Sequence, residues 1–249
     1  RVFVEKTGLS LAHRDSVFVT ASLKSLPFAG KVHFVPARLA VLPQYLLPKK
    51  TLTALAGAFA RAEAGALTTG AIRWFVKRYG VDMQEAAFAD IRDYRTFNDF
   101  FTRELKAGSR EMAHSDFICP VDGAISQFGA IDRDTIYQAK GHSYTTTALL
   151  GGDKSSAMRY ENGWFATLYL SPRDYHRIHM PCDGKLESMT YVPGALFSVN
   201  PTTARGVPGL FARNERVVCE FSTAYGPIAL VLVGATIVGS MATVWHLSL

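Results

Sequence analysis

The hydrophobic pattern of this 249-residue chain changes its period near Pro120, and this change limits the folds that the chain can adopt. Between about 34 and 106, apolar residues recur at three- and four-residue steps, which predicts amphipathic helices. After Pro120, short apolar runs separated by turn residues predict strands. The predicted strands are Ala124–Phe128, Trp164–Leu170, Lys185–Val192, Arg216–Phe221 and Ile228–Val238. Helices followed by strands predict an α+β fold rather than an alternating α/β sheet.

We divide the chain into three regions on this basis. Residues 1–33 form an extension of uncertain structure, residues 34–110 a helical region, and residues 111–249 a β-rich domain. Thr96-Phe-Asn-Asp99 has the residues of a capping box and predicts a helix start. The longest apolar run, Pro227–Gly239, is shorter than the roughly 20 residues of a membrane-spanning helix, so it predicts buried strands.

Positive charge is concentrated in the helical region. The formal net charge is +6, and Glu63 is the only acidic residue between 31 and 80. The basic residues there are Lys31, Arg38, Lys49, Lys50, Arg61, Arg73, Lys77 and Arg78. Such helices suit an anionic membrane surface, but also ordinary helices with a core-facing stripe and a solvated basic face. No nucleic-acid-reading motif accompanies the charge, so we expect no nucleic-acid partner.

The segment Tyr169–Pro181 has the pattern most suggestive of chemistry, because it places His176 and His179 three residues apart between two prolines. Histidine titrates near neutral pH, so the pair indicates proton transfer or metal ligation. The prolines favour an extended segment, in which the two rings point to opposite faces. This spacing counts against a shared metal ion, and we expect none. The alternative is that the histidines only form local hydrogen bonds.

Three other groups of polar or small residues are candidates for function. They are Asp122 on an Asp-Gly turn, Lys140 and His142 in a polar loop, and Gly194 and Ser198 followed by the polar cluster Arg213–Arg216. Each is also compatible with a structural role, as a turn or a solvated loop. The residues alone leave both interpretations open.

The order of the sequence blocks resembles the bacterial phosphatidylserine decarboxylases, which are pyruvoyl-dependent proenzymes. The resemblance extends from about 34 to 245 and covers most of the chain. The blocks that carry it are Tyr94–Phe101, Pro120–Gln127, Gln138–His142, Tyr169–Pro181, Tyr191–Asn200, Leu210–Arg216 and Val233–Ser240.

This resemblance implies a self-processing mechanism. In that family, a serine in a Leu-Gly-Ser-Thr motif attacks the carbonyl of the preceding glycine and becomes a covalent pyruvoyl group on a small subunit. Asp122 and His179 match the residues that activate this serine, and His176 matches the residue that acts in decarboxylation. A Schiff base to the pyruvoyl group then allows phosphatidylserine to lose carbon dioxide and become phosphatidylethanolamine, without a separate cofactor.

The resemblance also implies partners and a location. Residues 34–110 correspond to a membrane-associating region that contacts an anionic surface, and residues 111–249 to the catalytic domain. We expect a peripheral protein on the cytoplasmic face of the inner membrane. A small pyruvoyl-bearing subunit and further copies of the same chain are the expected protein partners.

One departure from the family pattern concerns the nucleophile, because the sequence contains no Leu-Gly-Ser-Thr. Gly239-Ser240 lies in a block that precedes the family's cleavage motif, so we interpret Ser240 as a strand serine. We therefore expect an incomplete large-subunit region that is inactive alone and incomplete at its C-terminus.

Two alternatives remain open from the sequence. The first is a non-catalytic fragment that binds anionic lipid surfaces through its basic amphipathic helices. The second is a hydrolase in which His179 and Asp122 activate an internal hydroxyl, such as that of Ser171 or Ser198.

Overall fold

A computed structural model describes residues 17–23, by their backbone, together with residues 37–139 and 141–245. The helices are α1 (Ala37–Ala40), α2 (Leu42–Leu46), α3 (Lys49–Arg61), α4 (Ala66–Tyr79), α5 (Phe97–Phe101), α6 (Thr146–Leu149), α7 (Lys154–Met158), α8 (Pro201–Gly206) and α9 (Leu210–Arg213). The strands are β1 (Val17–Leu23), β2 (Ala124–Ala130), β3 (Thr135–Ala139), β4 (His142–Thr145), β5 (Trp164–Leu170), β6 (Gly184–Val192), β7 (Arg216–Thr223) and β8 (Gly226–Val233). A short 3₁₀ turn covers Ile91–Asp93.

A six-stranded sheet in the order β2-β5-β1-β8-β7-β6 forms the centre of the protein. The pairs β2–β5, β6–β7 and β7–β8 are antiparallel, whereas β1 is parallel to both of its neighbours. A two-stranded sheet pairs β3 with β4. Helices α3 to α5 precede all strands of this mainly antiparallel sheet except β1, which confirms the predicted α+β class.

Strand β1 comes from the extension whose structure the sequence leaves uncertain. Val17 lies opposite Trp164 of β5 and Ile228 of β8, so β1 separates these two strands. Its run Val-Phe-Val-Thr consists of residues that favour strands. Without β1, the facing edges of β5 and β8 would be unpaired in the middle of the sheet. The rest of the extension lies outside the described residues.

Side chains that alternate along the central strands form two apolar layers. Phe165, Val218 and Val231 belong to one layer, which α6 to α9 also contact. Leu168 and Leu230 belong to the layer on the opposite face. Each fully buried side chain of this kind contributes about 1.5–3 kcal/mol to folding. Burial on both faces also explains why β5 and β8 appear in the sequence as nearly continuous apolar runs.

Helices α3 and α4 differ in what they bury. Ile72 and Phe75 of α4 pack against an aromatic cluster that includes Phe100 of α5. Helix α3 buries none of its residues, and its Leu55 and Phe59 are exposed. None of the described helices combines the length and the apolar character needed to cross a lipid bilayer.

The predicted start of α5 is confirmed by its hydrogen bonds. The Asp99 amide donates to Thr96 Oγ1 at 3.0 Å, and the Thr96 amide donates to Asp99 Oδ2 at 3.2 Å. This reciprocal pairing is the capping box that the sequence predicts. It satisfies two donors that a helix start otherwise leaves without partners.

The predicted strand to Val238 is wrong at its end, because β8 ends at Val233. The Gly234 carbonyl accepts a hydrogen bond from Asn214 Nδ2 at 2.8 Å, which takes the chain away from the sheet. A tight turn follows, in which Ile237 has φ of 63°. Ser240 lies after this turn and outside any strand, so its interpretation as a strand serine is also wrong.

Candidate active site

Asp122 and the two histidines approach each other where β5 ends. Asp122 lies on the turn that leads into β2, and Ala124 at the start of β2 pairs with Tyr169 near the end of β5. The histidine segment begins directly after β5. The His179 amide donates to the Pro120 carbonyl at 2.8 Å, which joins the two segments. The fold therefore joins the turn that carries Asp122 to the segment that carries both histidines.

Gly123 allows this close approach. A Cβ atom at this position would lie 2.5 Å from the Tyr169 carbonyl oxygen, which is closer than real Cβ atoms come to other atoms. Any side chain here would displace backbone rather than a side-chain end. Packing therefore requires glycine at position 123.

The exposed ring of His179 has a hydroxyl partner. Its Nε2 lies 3.0 Å from the Tyr175 hydroxyl, and the two rings stack with centroids 5.6 Å apart. Burial raises the pKa of Tyr175, so the phenol keeps its proton near neutral pH. Tyr175 was not predicted as a site residue, although it lies one position before His176.

His176 lies in a different environment. Its ring stacks on Phe101 with centroids 3.9 Å apart, and both ring nitrogens are buried without a side-chain hydrogen-bond partner. Burial lowers the pKa of His176 to about 4. A hydrogen bond with the Asp174 backbone opposes this effect, and the charge of Arg103 adds to it. The ring is therefore neutral at pH 7, and its buried nitrogens suit a polar group of a ligand.

Arg103 lies beside this histidine and was missed in the sequence. Its side chain is almost fully buried at 2% exposure, and Nη2 donates to the Arg173 carbonyl at 3.2 Å. The Nε and Nη1 groups have no hydrogen-bond partner. Burial lowers the pKa of Arg103, and the carboxylates of Glu85 and Asp174 oppose that effect. The sequence signal that points to Arg103 is a basic residue shortly after a helix rich in phenylalanine.

Asp122 pairs with Arg110, a residue that the sequence did not suggest. Arg110 Nε donates to Asp122 Oδ2 at 2.7 Å, and Arg110 Nη2 donates to Glu85 Oε2 at 2.9 Å. The hydrogen bond to Asp122 is the main cause that raises the pKa of Arg110. The contacts recorded for the described residues include no hydrogen bond between Asp122 and His179, so the pairing of these two remains a prediction.

A cavity of about 200 Å³ lies beside the ends of β2 and β5. Ser126, Thr167 and Tyr169 line it together with apolar residues such as Val199 and Phe211. Thr167 is 1% exposed, and its hydroxyl has no hydrogen-bond partner. The cavity therefore combines an apolar wall with at least one buried polar group, as small-molecule sites do.

The polar cluster Arg213–Arg216 has a structural part. Arg216 is 2% exposed and donates four hydrogen bonds to backbone carbonyls. Asn214 is fully buried and bonds to both the amide and the carbonyl of Phe197. These two side chains stabilise the fold, and neither is free to bind a ligand.

Most of the remaining candidates also have structural partners. His142 contacts the Arg205 carbonyl at 3.0 Å rather than an anionic group. A Cβ at Gly194 would lie 2.5 Å from the Arg213 carbonyl oxygen, so backbone approaches this glycine. The Ser198 amide donates to the Gln44 side chain. Lys140 lies outside the described residues.

The described residues hold no group of three or more His, Cys, Asp or Glu side chains placed to bind a metal ion. The hydroxyl recorded at His179 Nε2 is that of Tyr175, not that of Ser171 or Ser198. The hydrolase alternative therefore has no support from the contacts of this histidine.

Two family models match the chain. The model described as phosphatidylserine decarboxylase matches residues 97–246, and a second model, described as PSD, matches residues 39–80. The first match includes Asp122, both histidines and the whole of the sheet except β1.

Named relatives agree with these matches. A phosphatidylserine decarboxylase proenzyme of Dechloromonas aromatica is 73% identical over 209 residues, which cover 84% of this chain and 74% of the relative. Proenzymes of the same name from Azoarcus sp. and Herminiimonas arsenicoxydans are 72% and 70% identical, over 84% of this chain and 73% and 71% of the relatives. The chain therefore belongs to the phosphatidylserine decarboxylase family.

Proposed function

We propose that this chain acts in the decarboxylation of phosphatidylserine to phosphatidylethanolamine, as the large-subunit region of a membrane-associated enzyme. The named relatives support the reaction. The single observation that carries the proposal is His176, whose two buried ring nitrogens have no side-chain partner next to an almost fully buried arginine. Together they provide a polar, water-poor position for the part of a substrate that reacts.

His179 and Asp122 are proposed to act in self-processing. His179 is exposed and has a hydroxyl group 3.0 Å from Nε2, which is the contact that a general base makes with a nucleophile. Asp122 lies on the adjoining segment and is proposed to orient the imidazole through Nδ1. The Leu-Gly-Ser-Thr motif whose serine they are proposed to activate does not occur among the 249 residues.

The residues around His176 fit a pyruvoyl group and its substrate. Such a group, when bound, supplies the carbonyl that accepts the electrons released with carbon dioxide. The neutral ring of His176 offers one nitrogen that can donate a hydrogen bond and one that can accept it. Arg103 adds unpartnered N–H donors beside the ring, which suit a carboxylate. These residues are proposed to orient the carboxylate and to return a proton to the product.

The test uses vesicles of phosphatidylserine labelled in the serine carboxylate. We expect no carbon dioxide release by the chain alone, and release when a separate family segment with Leu-Gly-Ser-Thr is added. With that segment, H179Q should lose cleavage and release together, whereas H176Q should lose only release. H114Q changes an exposed histidine and serves as the matched control.

Release by the chain alone would contradict its proposed inactivity. Full release by H176Q in the presence of the segment would contradict the role of this histidine. Cleavage in H179Q at the rate of the unmodified chain would contradict the proposed base.

A second proposal concerns the helical region 34–110, which is proposed to bind an anionic membrane surface. Leu52, Leu55 and Phe59 lie on one side of α3 and are exposed. Lys49 and Lys50 lie at the start of the same helix. An apolar stripe with nearby basic residues is the arrangement by which helices lie in the membrane interface. We propose that the chain binds in this way as a peripheral protein of the cytoplasmic face. The same binding is expected under the alternative, in which the chain is a non-catalytic lipid-binding fragment.

Vesicle flotation tests the second proposal. The double variant L55E/F59E should bind anionic vesicles at least about tenfold more weakly, because two apolar side chains no longer enter the interface. M158E changes an exposed methionine outside the helical region and should bind like the unmodified chain. Equal binding of both variants, or indifference to lipid charge, would contradict the proposal.

A further inference from the structure

Asp122 and His179 lie on two neighbouring segments that hydrogen bonds join. Besides the bond from the His179 amide to Pro120, the Ile118 amide donates to the Pro181 carbonyl at 2.8 Å. In spite of this proximity, the recorded side-chain partners differ. Asp122 bonds to Arg110, and His179 Nε2 contacts Tyr175. The carboxylate and the imidazole lie on joined segments, but each is bound to another residue.

The partner of Asp122 is shared between two carboxylates. Arg110 contacts Asp122 Oδ2 through both Nε and Nη2, and the same Nη2 donates to Glu85 Oε2 at 2.9 Å. Arg110 Nη1 also donates to the Ser109 carbonyl at 2.7 Å, which fixes the direction of the guanidinium. Glu85 thus competes with Asp122 for one cation.

The exposure of these groups makes the pairing exchangeable. The side chains of Arg110, Asp122 and Glu85 are 40%, 31% and 25% exposed. Ion pairs that water reaches to this extent are weak, because solvent screens the attraction. Arg110 can therefore direct Asp122 without fixing it permanently. Because Tyr175 contacts Nε2 of His179, the other ring nitrogen, Nδ1, can bind a second partner.

We infer that Arg110 is a positioning residue, which keeps Asp122 apart from His179 until the guanidinium moves onto Glu85. Asp122 then accepts a hydrogen bond from Nδ1–H of His179, while Tyr175 or an incoming hydroxyl contacts Nε2. The His179–Asp122 pair would thus form by exchange of partners rather than exist from the start. This inference rests on the proposed roles of Asp122 and His179 in self-processing.

The experiment uses the full chain with nitrogen-15 in its histidine rings and requires no lipid. R110M removes the competing cation, so Asp122 should pair with His179, and the Nδ1 signal of His179 should shift because its N–H then donates a hydrogen bond to the carboxylate. R110M/D122A lacks the acceptor and should give the spectrum of the unmodified chain. R92M removes an exposed Arg–Asp pair elsewhere and should not change the His179 signals.

Two further variants give graded results. R110K retains a charge but cannot contact both carboxylates with a planar guanidinium, so a partial shift is expected. E85Q removes the competitor of Asp122 and should leave His179 as in the unmodified chain. If R110M does not fold, as judged by urea unfolding, R110K carries the test.

An unchanged His179 spectrum in folded R110M or R110K would overturn the inference. The same shift in R110M/D122A would also overturn it, because the change would not then depend on Asp122. Failure of the decarboxylation assay leaves these spectra unaffected, so the two proposals fail separately.

Discussion

Two arginines with the same 2% exposure, Arg216 and Arg103, have opposite surroundings. Arg216 donates four hydrogen bonds to carbonyls between 2.6 and 2.8 Å, so its guanidinium is almost completely paired. Arg103 donates one at 3.2 Å and leaves Nε and Nη1 without partners. Burial lowers the pKa of both, that of Arg216 to about 10.

The difference separates a structural polar group from one for which we propose a function. A buried polar group that lacks a partner costs about 1–3 kcal/mol, so most native sites pair theirs. Arg216 satisfies this rule within the apolar layer that contains Val218 and Val231. Arg103 and His176 break it side by side, at the place where Asp122 and His179 also lie. Unpaired groups that cluster in this way mark a position for a ligand.

The largest expected effect is that of R216M. This change removes a hydrogen-bond donor from each of four backbone carbonyls. It should lower the free energy of unfolding by about 4 kcal/mol, because the loss of a buried charged partner is strongly destabilising. Urea unfolding measures it. R205M, at an exposed position of α8, is the matched control and should change stability by less than about 0.5 kcal/mol. Equal stability of R216M and R205M would remove the contrast between Arg216 and Arg103.

A pH-dependent effect should follow from His176. Its pKa of about 4 lies below the ordinary 6.5, so between these values the unfolded chain binds a proton that the folded chain does not. Folding stability should therefore fall as the pH decreases from 6.5 to 4. Each pKa unit corresponds to about 1.4 kcal/mol, so we expect H176Q to lack about 2.5 kcal/mol of the acid-induced loss at pH 4.5.

Urea unfolding at pH 7 and pH 4.5 measures this difference. H114Q removes an exposed histidine and should show the same acid-induced loss as the unmodified chain. If H176Q loses as much stability as H114Q between the two pH values, burial of the His176 ring does not cause the effect.

The smallest effect on stability is expected for R103M. Replacing a poorly paired buried ion with an apolar side chain of similar length is often neutral, so the change should stay within about 1 kcal/mol. Because the charge of Arg103 contributes to lowering the pKa of His176, the measured pKa should rise toward 6.5 in R103M. Histidine NMR measures it. A loss as large as that of R216M would assign Arg103 to the structure rather than to the site.

The sequence predicted elements where local pattern and tertiary burial agree. The strands around Trp164–Leu170 and Arg216–Phe221 are buried on both faces, and their apolar runs are therefore visible. Strands β3 and β4 were missed because His142–Thr145 is polar and short. Strand β1 has suitable residues, but no local signal shows that it inserts between two distant strands.

The candidate site was predictable only in part. Asp122, His176 and His179 were found through their residue types and a family resemblance. Arg103 and Arg110 were not, because their importance depends on contacts across the fold with Arg173, Asp122 and Glu85. Spacing along a chain indicates which groups are close in sequence, but not which buried donors lack a partner.

The parallel insertion of β1 has a consequence for how the protein folds. The first described strand pairs with the last one, β8, so the sheet closes only when nearly the whole chain is available. Contacts between such distant segments form slowly, because a long loop must be ordered first. During synthesis, β1 leaves the ribosome before either of its partners exists. The edges of β5 and β8 then stay available to other chains until β1 binds them, which makes the late folding intermediate the species most prone to aggregation.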